Sequence, residues 1–256
     1  MRIVALLLSA FLVACSAPRD ASTPMQTIVD EARCAAPVDT LVVLLPGAYD
    51  HAADFAKEGF VAALRARRIA ADVVLADATM SYYRDGVFIE RLDADVLAPA
   101  AARGIRHVWL AGVSLGGLGS LMAANERRAR FDGLLLIAPY LGERATVAEV
   151  AASGGVAGWS PPGVIPRDDI DRRLWRWIKE LALTRDRDAS YPPVWLGFGV
   201  DDRFAAAHRL LAATLPPAHV VTAPGGHEWT AWRAVWGAML DAAPLPRDPS
   251  CVARPS

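Results

Sequence analysis

The sequence predicts an α/β protein with a doubly wound, mostly parallel sheet covered by helices on both faces. Three observations carry this. Short apolar, β-branched runs recur along the chain, longer helix-like stretches separate them, and the turns that bear candidate chemistry follow the runs directly. The 256 residues, 54% of them hydrophobic, suit one well-buried domain with a single core.

The runs are Leu41 to Leu45, Ala71 to Leu75, His107 to Ala111, Leu134 to Ala138, Val194 to Val200 and His219 to Val221. Each has the length of a strand, and none has the polar alternation of a half-solvated one. Between them Asp54 to Arg68, Arg91 to Arg103 and Arg203 to Leu215 read as helices. One long stretch, about 141–190, breaks the alternation. It holds Ser153-Gly154-Gly155 and Ser160-Pro161-Pro162-Gly163 as breakers and one amphipathic piece, Asp169 to Leu181.

Gly112-Val113-Ser114-Leu115-Gly116 follows Val108 to Ala111 directly and leads into a helix-like stretch, Gly117 to Asn125. A strand that turns sharply into a helix holds a serine hydroxyl clear of the sheet, and flanking glycines let backbones close up where side chains would clash. Ser114 is therefore the candidate nucleophile. It needs a base, and the chain has five histidines. His107 lies at the wrong end of its strand, His208 reads as a solvated or half-buried helix residue, His219 opens an apolar run, and His51 precedes the serine. His227 remains, in the Gly-rich loop Pro224-Gly225-Gly226-His227-Glu228-Trp229, from which a side chain can project. A carboxylate must orient that histidine, and the run Pro193 to Val200 ends in Asp201-Asp202.

With serine, aspartate and histidine in this order, each behind a strand, the chain resembles the α/β-hydrolase fold enzymes from about Leu41 to about Leu240. The resemblance implies a sheet of α/β-hydrolase type with a small cap, placed here at about 141–190. It favours Asp202 over Asp201, because the acid often stands three residues after a glycine and two before an apolar residue, as Asp202 does between Gly199 and Phe204. It also implies an oxyanion hole of two backbone amides. One is that of Leu115, after the nucleophile. The other comes from the loop Pro46-Gly47-Ala48-Tyr49, from Ala48 or else Tyr49, since Pro46 replaces the histidine common in relatives. Trp159, Trp175 and Trp177 fall in the cap. Trp159 and Trp175, with Tyr49, Tyr82 and Tyr83, are candidate walls of a substrate pocket.

Met1-Arg2 followed by the apolar run Ile3 to Ala14 is too short to span a bilayer, which takes about 20 residues, and fits a secretory signal. Leu12-Val13-Ala14-Cys15 resembles the bacterial lipobox, cut before a cysteine that becomes lipid-modified. Ser16 at the next position points to the outer membrane, on its periplasmic side. The expected organisation is a signal peptide over 1–14, a polar tether over 15–36, the hydrolase domain over 37–245 and a tail over 246–256. Of the three cysteines, Cys34 and Cys251 remain, and an oxidising compartment pairs them.

No His or Cys pair has metal-ligand spacing, no phosphate-binding loop is present, and no cofactor is implied. With 27 basic and 28 acidic residues, the net charge of −1 gives no sign of a nucleic-acid partner. The expected activity is hydrolysis of a carboxylic ester, small or lipid-like, through an acyl-enzyme. Thioesterase, amidase and acyltransferase chemistry share the same residues, and the contrasting class is an anchored binding protein that kept the fold without turnover.

Overall fold

The apolar runs assemble into a seven-stranded sheet in the computed structural model, which describes residues 19–184 and 187–252. Its strands are Thr27–Asp30 (β1), Thr40–Leu45 (β2), Asp72–Ala76 (β3), His107–Val113 (β4), Gly133–Ile137 (β5), Val194–Gly199 (β6) and Val220–Ala223 (β7). They lie side by side as β1-β3-β2-β4-β5-β6-β7, with β1 antiparallel to β3 and every other pair parallel. Every residue of β2, β5 and β6 is buried, as strands without polar alternation require when helices cover both faces. Val43 of β2 sits between Val74 and Leu110, and each such aliphatic side chain withdrawn from water contributes about 1.5–3 kcal/mol.

The predicted helix Asp54 to Arg68 is divided into Ala52–Lys57 and Phe60–Ala66, because Gly59 between them takes a left-handed backbone at φ 79°. The cap holds the helices Arg144–Ala152 and Ile170–Thr184, the second close to the amphipathic piece expected. It buries Leu174, Trp175, Trp177, Ile178 and Leu181, one stripe at helical spacing.

The expected tether requires correction. Residues 15–18 and the leader, with Cys15, lie outside the described residues, but the chain from Arg19 onward is docked. Thr27–Asp30 forms the edge strand β1, pairing Thr27 with Ala76 and Asp30 with Val73. Its side chains are mostly exposed, so no apolar pattern announces it; the backbone ladder and the buried Arg65 hold it. Arg65 pairs with the Asp30 carboxylate at 2.5 Å and donates to the carbonyls of Asp30 and Ala71 at 2.8 Å. Ahead of β1, Arg19 pairs with Asp77 at 2.5 Å and donates to the Asp50 carbonyl at 3.0 Å.

The tail is docked too. The Ala70 amide donates to the Pro246 carbonyl at 2.8 Å and the Asp248 amide to that of Arg68 at 3.0 Å. A disulfide joins Cys34 to Cys251 across 217 positions. Because β1 runs antiparallel, Asp30 and Cys34 after it lie at the amino-terminal end of the parallel strands, away from the loops that carry Ser114, Asp202 and His227. The bridge should therefore govern stability and leave chemistry alone. In the chain-entropy model a loop this long is worth about 5 kcal/mol. Cys34→Ser/Cys251→Ser is expected to lower the melting temperature by up to ~10 °C with kcat retained. Equal melting of the two proteins would show that the bridge does not constrain the unfolded chain.

Candidate active site

The turn at Ser114 is forced by close backbone contacts. Ser114 takes φ 52° and ψ −110°, a strained conformation for a residue with a Cβ, costing on the order of 1–3 kcal/mol. A Cβ on Gly112 would meet the Gly116 carbonyl at 2.1 Å, and one on Gly116 the Leu45 carbonyl at 2.0 Å, so replacing the first glycine would push the following helix off β4 and replacing the second would push β2 away from the elbow. The strained turn is tied from both sides. The Ser114 amide donates to the Ile137 carbonyl at 2.9 Å, and the Ser114 carbonyl accepts from the amides of Tyr140 at 2.9 Å and Gly117 at 3.0 Å.

The loops after β6 and β7 bring the other two residues to it. Asp202 is tethered by its amide to the Gly199 carbonyl at 3.1 Å, and the Asp201 amide donates to that of Gly225 at 3.0 Å, which links the two loops. His227 Nδ1 lies 2.7 Å from Asp202 Oδ2, and His227 Nε2 lies 2.9 Å from Ser114 Oγ. An ionised carboxylate can only accept, so Nδ1 carries the proton and Nε2 offers its lone pair to the serine hydroxyl. Burial opposes the charge on Asp202, but hydrogen bonds from His227 and from the Phe204 amide, the latter at 2.8 Å, outweigh it and hold the carboxyl below its ordinary range. Asp202 is buried whereas Asp201 is exposed. Rings of Phe204 and Trp232 meet the imidazole edge to face at 5.1 and 5.0 Å and fix its plane.

The Pro46 to Tyr49 loop abuts Ser114: a Cβ on Gly47 would lie 3.7 Å from Ser114 Cβ. Leu115 opens its helix, so its amide has no intrahelical acceptor. Tyr49, 92% exposed, reaches into solvent. Behind this loop stands Asp50, whose carboxyl is pushed up by burial and by the charge of Asp54. Nothing in the sequence marked it, or Phe204 and Trp232, as neighbours of the site.

Four expected pocket residues are corrected. Tyr82 is buried and its hydroxyl donates to the Ser22 carbonyl at 2.8 Å, while Tyr83 stacks on Phe88 with ring centres 4.5 Å apart. Trp159 and Trp175 are buried with their indole N–H groups donating to Glu149 and to the Leu141 carbonyl, each at 2.9 Å. These rings pack the cap and its neighbours onto the body. A cleft of ≈ 610 Å³ instead lies between Tyr140 to Ala151 on the cap side and Arg203 to Leu210 on the other.

His208 also departs from expectation, being wholly buried rather than solvated or half-buried. Its Nε2 stands 2.9 Å from the Pro139 carbonyl, which can only accept, so Nε2 is protonated and Nδ1 is left without a partner. Burial, partly opposed by the charge of Asp202, lowers its pKa to about 4. The unfolded chain protonates this group below about pH 6.5 and the folded protein only near 4, so the unfolded state binds the extra proton in that window. Stability should fall as pH drops through it, by on the order of 3 kcal/mol. Denaturant unfolding at about pH 7 and about pH 4.5 should show this loss, and His208→Gln should remove most of it. An unchanged loss in the variant would assign it to other groups.

No protein-family model and no curated protein matches the sequence. Solved structures do match the fold. A ferulic acid esterase is 14% identical over 85% of this chain and 98% of its own, with a TM-score of 0.55. A Staphylococcus aureus fluorophosphonate-binding serine hydrolase is 13% identical over 86% and 98%, with a TM-score of 0.53. A hydrolase from Pseudomonas aeruginosa is 22% identical over 84% and 92%, with a TM-score of 0.51. At such identities the shared property is the fold: six parallel strands with an antiparallel edge, a sharp strand-to-helix turn at Ser114 after β4, and Asp202 and His227 on the loops after β6 and β7 give this chain the α/β-hydrolase fold.

Proposed function

We propose that the chain is a serine hydrolase that cleaves a carboxylic ester through an acyl-enzyme. The observation that carries this reading is the unbroken chain of contacts from Ser114 Oγ through the His227 imidazole to Asp202, at 2.9 and 2.7 Å, on a strained elbow. His227 Nε2 takes the hydroxyl proton as Ser114 Oγ attacks the ester carbonyl, and Asp202 balances the imidazolium that results. The Ala48 and Leu115 amides hold the developing oxyanion. His227 then protonates the leaving alcohol, and water, activated by the same base, releases the acid. The named activities of two neighbours, an esterase and a fluorophosphonate-binding serine hydrolase, support an ester and an activated serine. No metal or cofactor enters this scheme.

We further propose that the protein is lipid-anchored at Cys15 in the bacterial cell envelope, on the periplasmic side of the outer membrane. The lipobox-like Leu12 to Cys15 and the Cys34 to Cys251 disulfide, at home in an oxidising compartment, support it. Treatment with a fluorophosphonate probe tests the chemistry: the expected product is a single adduct, on the peptide containing Ser114. Folded protein that stays unlabelled would overturn the reading.

A further inference from the structure

The triad accounts for the bond that breaks and leaves the neighbouring cleft without a role. Tyr140 and Phe204 line the cleft toward the triad, their rings meeting edge to face at 5.6 Å, and Phe204 in turn touches the His227 ring. The cleft thus begins one ring away from the His227 imidazole, and an arm of an ester held at Ser114 would have to pass Phe204 to enter it. Val147, Ala151, Ala207 and Leu210 make its walls apolar. Two guanidinium groups border it, those of Arg144 and Arg203.

Elsewhere the arginines of this protein are commonly spoken for: Arg91 pairs with Asp95 at 2.6 Å, and Arg172 with Glu149 and Asp169. Among the described residues neither Arg144 nor Arg203 has a carboxylate within 4.0 Å, and Arg203 lies over the Phe204 ring at 4.9 Å. Glu143, which lines the cleft, accepts from the Tyr140 hydroxyl at 3.0 Å, and Asp171, packed against Gly142, accepts from the Glu143 amide at 2.6 Å. Both carboxylates at this end are thus engaged by hydrogen bonds, and the two guanidinium groups are the charges without a carboxylate partner beside an apolar channel.

We propose that the cleft selects esters bearing a carboxylate on the arm that enters it, separated from the scissile bond by an apolar spacer of several carbons. Glu143 and Asp171 nearby repel a phosphate dianion more strongly than a monoanion, and a guanidinium fork matches carboxylate geometry. This inference rests on the hydrolase reading and narrows it to a substrate class.

The test compares kcat/KM within two pairs of esters that differ in charge and scarcely in size. Mono-nitrophenyl suberate and its terminal amide place the carboxylate on the acyl side; the butyryl esters of a hydroxyhexanoate and of its amide place it on the alcohol side. In one pair the carboxylate should be preferred about tenfold at low salt, the preference shrinking as salt is added. Arg144→Gln/Arg203→Gln should bring the ratio near one, and Glu143→Gln should enlarge it, opposite directions that a folding defect cannot produce. Reading a ratio cancels any loss of active protein. Absence of preference in both pairs, or a preference that survives the double substitution, would overturn the inference alone. If no ester is turned over and Ser114 takes no fluorophosphonate, the hydrolase reading falls and the inference with it.

Discussion

Ser114→Ala is expected to lower ester turnover by at least ~10⁴-fold, because it removes the atom that forms the acyl bond in the proposed mechanism. Ser114 Oγ makes its one hydrogen bond to His227, so the folded state should lose no more than about 1 kcal/mol. The melting temperature should then move by only a few degrees. His227→Ala should cost a similar amount, and the double substitution little more than either, since members of a triad act as a unit. Steady-state kinetics with a nitrophenyl ester decide it. More than about a tenth of the activity surviving in Ser114→Ala would mean that the nucleophile lies elsewhere.

The second large effect belongs to the acid. Asp202→Asn should reduce kcat/KM by about 10⁴, because an amide placed 2.7 Å from His227 Nδ1 can donate as well as accept and so favours the tautomer whose Nε2 lone pair is lost to the serine. The Phe204 amide can still donate to the remaining oxygen, so the loop should hold its shape. Asp201→Asn changes an exposed side chain and should cost no more than a few fold. Comparable, mild losses in both would send the search for the orienting carboxylate to another loop.

The sheet and the triad were legible because the physics that builds them leaves local marks. Strands buried on both faces must be apolar throughout, and an elbow that brings Gly116 against Leu45 admits little but glycine. Other features leave no such mark. β1 is held by its backbone and by Arg65, and exposed side chains such as Ile28 and Val29 carry no pattern. Tryptophans in a cap suggest a pocket wall as readily as packing, and only the three-dimensional contacts of Trp159 and Trp175 decide for packing. His208 sits in a helix of ordinary composition, and its burial depends on a carbonyl 69 positions away in the chain. The cleft that replaces the expected aromatic pocket joins Tyr140 to Phe204, residues brought together by the sheet and distant in sequence.

The docking of Arg19 sets an orientation. Its guanidinium grips Asp77 and the carbonyl of Asp50, and both belong to loops that follow the carboxyl ends of strands, the end where Ser114 lies. The chain thus enters the domain from the catalytic side. Arg19 stands four positions after Cys15, a reach of at most ~14 Å when fully extended. A lipid on Cys15 would hold the domain with the mouth of its active site turned to the bilayer and the disulfide facing away, so that an ester leaving the membrane surface would meet the nucleophile before any other face of the protein.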